Sequence, residues 1–262
     1  RKKTFFSKNT IQFLFNYLKS RFINFLYPAP DFAFIAGLKE KNSYSKKTKI
    51  IFSHCFDYDF FLKENKKKLL LSKNKFALFI EHIMFGHPEL SIDNKSNNLA
   101  EKEKKYFIDL KVFFHNIYKK RNMNIVIALH PRTPINYKKK IKKVFNEKYL
   151  KIIDKETPKY IKKSSLVITH NSAAVQFAIL WKKPIIFCHH NEMRNYIKRY
   201  ILGLSSELKK KSFNLGNDKF NILKKDFSVI DKHYNNYIKN YIQSSKNSKI
   251  LSWNNFSSIF KD

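Results

Sequence analysis

Three short stretches carry side chains able to do chemistry: His130-Pro131-Arg132-Thr133-Pro134, His170-Asn171-Ser172-Ala173-Ala174 and His189-His190-Asn191-Glu192. An imidazole can donate to a phosphate oxygen or stabilise a departing phosphate, and the proline after His130 holds that residue in an extended, turn-forming backbone. Asn171 or Ser172 can cap a helix expected over residues 173–181, aiming backbone N–H groups and the positive end of the helix dipole at an anion. Taken singly, Ser172 also fits a plain helix cap, and His130 an ordinary loop histidine. His189 and His190 with Glu192 invite a metal site, but adjacent side chains at a strand end point in opposite directions. His82 and His87 lack a second pair of ligands. The Asp-x-Asp triplet Asp57-Tyr58-Asp59 lies far from these stretches in the chain. No metal and no cofactor is expected.

The elements that must position these residues follow from the apolar runs. Residues 32–36, 49–54, 76–81, 124–130, 150–153, 166–170 and 184–188 are short and apolar, and helical stretches separate them. Such alternation predicts an α/β chain with parallel sheets, since each strand needs a crossover helix to return in the same direction. Residues 124–130 and 166–170 lack a period of two, as strands covered on both faces do. Each of the three chemical stretches therefore follows a strand end, where ligands bind in open parallel sheets. Residues 137–145 read as a basic helix and 157–164 as a short one. Residues 5–26 have an apolar helical rhythm, with lysine and arginine on the other side, that stops at Pro28 and Pro30. That helix suits packing on a core, and its basic side would also suit anionic lipid. The polar, charge-rich residues 91–105 read as a loop or inter-domain connection, and a domain boundary is placed near Leu110.

Composition bounds the partners. The 262 residues hold 53 Lys+Arg against 20 Asp+Glu, a formal net charge of +33, which favours nucleic acid, an anionic membrane or phosphate-rich substrates. Lysine runs at 66–68, 138–140 and 209–211 are spread along the chain, as on a solvated face. RNP aromatics, a GXXG loop and C2H2 spacing are all missing, so no specific nucleic-acid partner is expected. No apolar run approaches the ~20 residues of a membrane span. The first residue is Arg1 and no secretory segment is visible, which reads as a trimmed or internal piece of a cytoplasmic chain. Cys55 and Cys188 are far apart without CxxC partners, and read as buried thiols.

Together, Ile127-Ala128-Leu129-His130-Pro131-Arg132, Leu166-Val167-Ile168-Thr169-His170-Asn171-Ser172 and Ala178-Ile179-Leu180-Trp181-Lys182-Lys183-Pro184-Ile185-Ile186-Phe187 resemble the nucleotide-binding half of GT-B glycosyltransferases with a His-Pro motif. That group includes bacterial sialyltransferases and capsule-type transferases of Kdo-like acidic sugars. Phe76-Ala77-Leu78-Phe79-Ile80-Glu81-His82, Gly86-His87-Pro88-Glu89 and His54-Cys55-Phe56-Asp57-Tyr58-Asp59 are similar to segments of members from O-antigen and capsule loci.

The resemblance implies two Rossmann-like domains facing a cleft. Residues 1–110 would form the acceptor side and 111–262 the nucleotide-sugar-binding domain, with residues 252–260 returning to pack on the first. It implies inverting transfer of a sugar, such as an acidic sugar from a CMP donor, onto a glycan or lipid-linked glycan acceptor, without metal. His130, with Pro131 and Arg132, would meet the nucleotide phosphate and leaving group, as would His170, Asn171, Ser172 and Ala173. Glu81 would be the general base, where related enzymes usually carry Asp; Asp57, Asp59 and Glu89 are its substitutes. The enzyme would work in the cytoplasm, peripheral on the anionic inner-membrane surface. Two alternatives stand beside it: a polyol-phosphate transferase of the teichoic-acid type and a non-catalytic, basic polyanion-binding protein.

Overall fold

The computed structural model describes residues 14–19, 22, 29–67, 75–85, 98–217, 222–243 and 251–258. Its centre is a six-stranded, wholly parallel sheet of β3 (Phe76–Ile80), β4 (Asn124–Ala128), β5 (Leu150–Ile153), β6 (Leu166–Thr169), β7 (Ile185–His189) and β8 (Ser212–Asn214). The spatial order is β5-β4-β3-β6-β7-β8. The chain thus winds outward from β3 to one edge, crosses back, and winds outward from β6 to the other: the doubly wound order of a Rossmann sheet. Its switch point lies between β3 and β6, where Ile80 pairs with Thr169.

The sequence builds this sheet by burying strands on both faces. Ala77, Leu78, Phe79, Ile125, Leu166, Val167 and Ile168 are all fully inaccessible, which explains their unbroken apolar runs. Helix α2 (Leu99–Arg121) lays Tyr106, Leu110, Phe113, Phe114 and Ile117 on the core at intervals of one helical turn. Phe114 meets Phe79 edge to face at 5.1 Å between centroids. The crossovers continue through α3 (Ile135–Val144), α4 (Thr157–Lys163), α5 (Val175–Leu180) and α6 (Asn195–Glu207).

A second parallel sheet, two strands among the described residues, pairs β1 (Phe32–Ile35) with β2 (Lys49–Phe52). Helix α1 (Phe56–Asn65) follows it and docks on α5, with Phe60 against Phe177, Phe61 against Trp181, and the Trp181 indole donating to Asn65. From the far end of the chain, α7 (Asp231–Tyr237) runs into a π-helical turn, Ile238–Ile242. Gln243 then bridges to His54. Helix α8 (Ser252–Ser258) lies on the small sheet, with Phe256 against Phe34 and the Ser252 N–H on the Asp59 carboxylate. Gly37 is needed here because a Cβ would sit 1.9 Å from the Asn240 carbonyl oxygen.

The α/β class with parallel sheets is the one the alternating runs predict, and all seven runs contain strands. Several details differ. The stretch read as a loop over 91–105 is helical from Leu99 onward, because its charged residues form the outer face of α2 while Glu103 and Tyr106 turn inward. A boundary near Leu110 would cut α2 at a buried core residue. β3, on the other side of that boundary, is a central strand of the same sheet as β4 and β6. The short edge strand β8 has no apolar run to announce it. Of the helix expected over 5–26, residues 14–19 and 22 are helical and the rest lie outside the described residues. Among the described residues, no helix is long and apolar enough to cross a membrane.

Candidate active site at the switch point

Parallel strands present their carboxyl ends on one edge of the sheet, and β3, β4, β6 and β7 end there with Glu81, His130, His170 and His190. Glu81 follows β3 directly, its backbone N–H donating to Ala128 at 3.0 Å. The side chain is buried, and that burial pushes its carboxyl up to about 7; the backbone N–H groups of Ile83, Met84 and His130 act in the opposite sense. Its Oε2 has no hydrogen-bond partner. One strand over, the buried Thr169 Oγ1 also lacks one. Buried polar atoms are nearly always satisfied, and two of the four orphans among the described residues stand side by side at this switch point. The turn after Glu81 is strained as well: Ile83, fully buried and β-branched, takes φ = 45°.

His130 is half-exposed at the end of β4. Its Nδ1 accepts the N–H of Arg132 at 3.2 Å, and its carbonyl accepts both the N–H and the hydroxyl of Thr133. Acceptance at Nδ1 puts the proton of the neutral ring on Nε2. Arg132 and Pro131 are exposed on the same turn.

His170 behaves otherwise. It is fully inaccessible; its Nδ1–H donates to the Cys188 carbonyl at 2.6 Å and its Nε2 accepts the Tyr106 hydroxyl at 2.8 Å. Desolvation lowers it to about 3, so the ring is neutral. Both nitrogens are occupied by the protein, and the imidazole is structural: assignment of this side chain to a phosphate is corrected. What stands at the edge is the backbone that it anchors, Asn171 to Ala173. Ser172 Oγ accepts the N–H of Ala174 at 3.3 Å. The helix expected from Ala173 begins only at Val175, with Ala174 in the capping position.

His190 repeats the tautomer logic of His130 with a different outcome. Its Nδ1 accepts the N–H of Glu192 at 3.2 Å, and its Nε2 donates to Asp109 Oδ2 at 2.8 Å. His189 points elsewhere, to the Ser212 hydroxyl at 2.8 Å. The two adjacent histidines therefore diverge. Among the described residues, no group of three His, Cys, Asp or Glu is placed to hold a metal ion.

The substitute bases separate cleanly. Asp59 binds His54 Nε2 at 2.6 Å and the Ser252 N–H; burial works against its charge, but these bonds hold the carboxyl below its usual range. In the structure it clamps α1 to α8. Asp57 is half-buried at the start of α1, with its carboxyl raised by burial. Glu89 and His87 lie outside the described residues. Sequence reasoning missed Tyr106 and Asp109, which sit one turn apart on α2 and support His170 and His190. Their three-residue spacing on one helix was the available signal.

No protein-family model matches the chain, and no curated protein sequence does. Among solved structures, the chain is similar to a UDP-GlcNAc 2-epimerase of Methanocaldococcus jannaschii in complex with UDP-GlcNAc and UDP: 18% identity, TM-score 0.43, over 82% of this chain and 56% of that one. A Neisseria meningitidis UDP-GlcNAc 2-epimerase bound to UDP-GlcNAc matches at 15% identity and TM-score 0.41, over the same shares. A putative UDP-N-acetylglucosamine 2-epimerase from Listeria monocytogenes matches at 17% and 0.39, over 76% of this chain and 46% of that one. The chain spans about half the length of the enzymes it is similar to.

Proposed function

We propose that the chain is the nucleotide-binding part of an enzyme that transfers a sugar, with inversion, from a nucleotide donor to a surface glycan. The observation that carries this reading is Glu81: a buried carboxyl with an unpartnered oxygen, beside the His-Pro turn, at the switch point of a doubly wound sheet. Open α/β sheets bind nucleotides at that place. β4 and β6 flank β3, so their ends stand about 10 Å apart, two strand spacings, within side-chain reach of one phosphoryl group.

In the proposed reaction, Glu81 takes the proton of the acceptor hydroxyl as its oxygen attacks the anomeric carbon. The bond from that carbon to the donor phosphate oxygen breaks on the opposite face. His130 Nε2–H and Arg132 meet the charge developing on the leaving phosphate, and the backbone of Asn171, Ser172 and Ala173 holds it from the other side. His170 and Tyr106 fix that backbone in place. The donor is a nucleotide sugar, with a CMP-linked acidic sugar as the first candidate; the acceptor is a glycan or lipid-linked glycan. The lysine excess holds the protein against an anionic inner-membrane surface.

Calorimetric titration with CMP, CDP and UDP, with donor turnover followed in the presence and absence of glycan acceptors, tests the proposal. Nucleotide binding that weakens in His130→Ala, together with acceptor-dependent release of nucleotide, is the expected result. Turnover of CDP-glycerol alone selects polyol-phosphate transfer, and acceptor-independent conversion of UDP-GlcNAc selects epimerisation. Salt-sensitive binding of any polyanion with no nucleotide affinity removes the enzymatic reading.

A further inference from the structure

Helix α6 has two faces with different business. Ile197, Ile201 and Ser205 are buried on the core side. On another face Tyr196, Arg199, Tyr200, Gly203 and Glu207 recur at three- and four-residue steps, lining a cleft of about 690 Å³ whose far wall is Tyr237 and Tyr241. Asn171, one residue past the buried His170, lies in the same cleft, which therefore opens onto the switch-point edge.

Gly203 gives this cleft its meaning. Glycine inside a helix weakens it, so it needs a reason: a positive φ or a close neighbour. Gly203 has neither among the described residues: its φ is not positive and, the helix's own backbone aside, no described atom lies within 4 Å of where a Cβ would be. Among the described residues, Gly203 faces open space beside the cleft. Around that space, Tyr196 and Tyr200 are 54% and 65% exposed, two neighbouring aromatic faces on the same cleft wall, and it is such clustering that marks a ligand groove. Arg199 is exposed and makes no ion pair among the described residues. Glu207 is already engaged by Lys39 and Tyr241. The Tyr237 and Tyr241 rings support each other at 4.7 Å. Stacking faces with one fork-shaped cation suit a flat-sided, hydroxyl-rich ring carrying one carboxylate, which arginine binds through two parallel hydrogen bonds. A nucleotide diphosphate would bring more negative charge than a single arginine answers, beside a glutamate on the same face.

We propose that this cleft holds the acceptor as a saccharide bearing a carboxylate, its ring on Tyr196 and Tyr200, its carboxylate on Arg199, and its bulk in the space that Gly203 leaves open. The assignment rests on the transferase reading above and adds the acceptor's chemical class. The probe is a short oligouronic acid, with its carboxyl-reduced neutral counterpart, titrated into the folded chain at fixed ionic strength. The acid should bind at least about tenfold more tightly than the neutral form. Arg199→Gln should erase that difference, Tyr200→Ala should weaken both forms, and Gly203→Trp should abolish binding. Gly203→Ala should raise the melting temperature, showing that the fold does not require the glycine.

Oligouronate binding that is indifferent to Arg199 and Gly203 and simply fades with salt would overturn the proposal as diffuse charge attraction. Competition by free CMP or UDP with the same dependence on Arg199 would overturn it in favour of a nucleotide subsite. A protein that binds nucleotide through His130 yet ignores the oligouronate loses this proposal and keeps the transferase reading. One that binds no nucleotide loses that reading instead.

Discussion

The backbone N–H of His130 is directed at the buried carboxyl of Glu81, so the residue proposed as base and the imidazole proposed for the leaving group occupy neighbouring strand ends of one sheet. The two were expected to face each other from separate domains. Their adjacency means that the state of Glu81 and the position of the His-Pro turn are coupled through one backbone group.

Glu81→Gln should abolish transfer while sparing nucleotide affinity. It should also change stability in a defined direction. The folded chain holds the Glu81 proton up to about pH 7, against 4.5 for an ordinary glutamate, so between those values it binds more protons than the unfolded chain. Stability therefore falls as pH rises through that window, by about 3 kcal/mol at most. Urea midpoints at the two ends of the window should differ in the wild type and much less in the variant. A general base must be ionised, so turnover should rise over the same range.

His130→Ala should lower turnover by about 10²–10³, the usual cost of losing one preorganised donor to a developing negative charge. The side chain is only half-buried, so the melting temperature should stay near that of the wild type. Ordinary activity in this variant would remove His130 from the site.

Tyr106→Phe separates structure from chemistry. It strands the buried Nε2 of His170 without a donor, at a cost of about 1–3 kcal/mol in chemical denaturation. Nucleotide binding measured where the variant is fully folded should change little.

Gly37→Ala should destabilise the junction between the small sheet and the C-terminal segment. A Cβ at 1.9 Å from the Asn240 oxygen forces two backbones apart, and overpacking of this kind costs about 1–3 kcal/mol or more. Thermal melts would show the loss, whereas Gly203→Ala should move the other way.

With a formal charge of +33, the chain should co-sediment with vesicles rich in anionic lipid, ignore zwitterionic ones and be released by salt. Retention on vesicles at molar salt would point to apolar insertion in place of electrostatic attraction.

What the residues determined by themselves was local. Apolar runs bounded by polar turns marked β1 to β7, because a strand buried on both faces must be apolar along its whole length. The position of His130 and Ser172 just past strand ends followed from the same boundaries. Helix α2 escaped at its start because its first turns show charge to solvent, so their few inward residues make a weak period. Which strands are neighbours was decided only by the tertiary structure, since strand order arises from how crossovers wind around a common core and leaves no trace in any one segment. That order set Glu81 beside His130, gave the His170 ring to Tyr106 and Cys188, and tied Asp59 to His54 and Ser252. A histidine or carboxylate carries the same chemical possibilities wherever it stands in the chain; burial and the partners that folding brings choose among them.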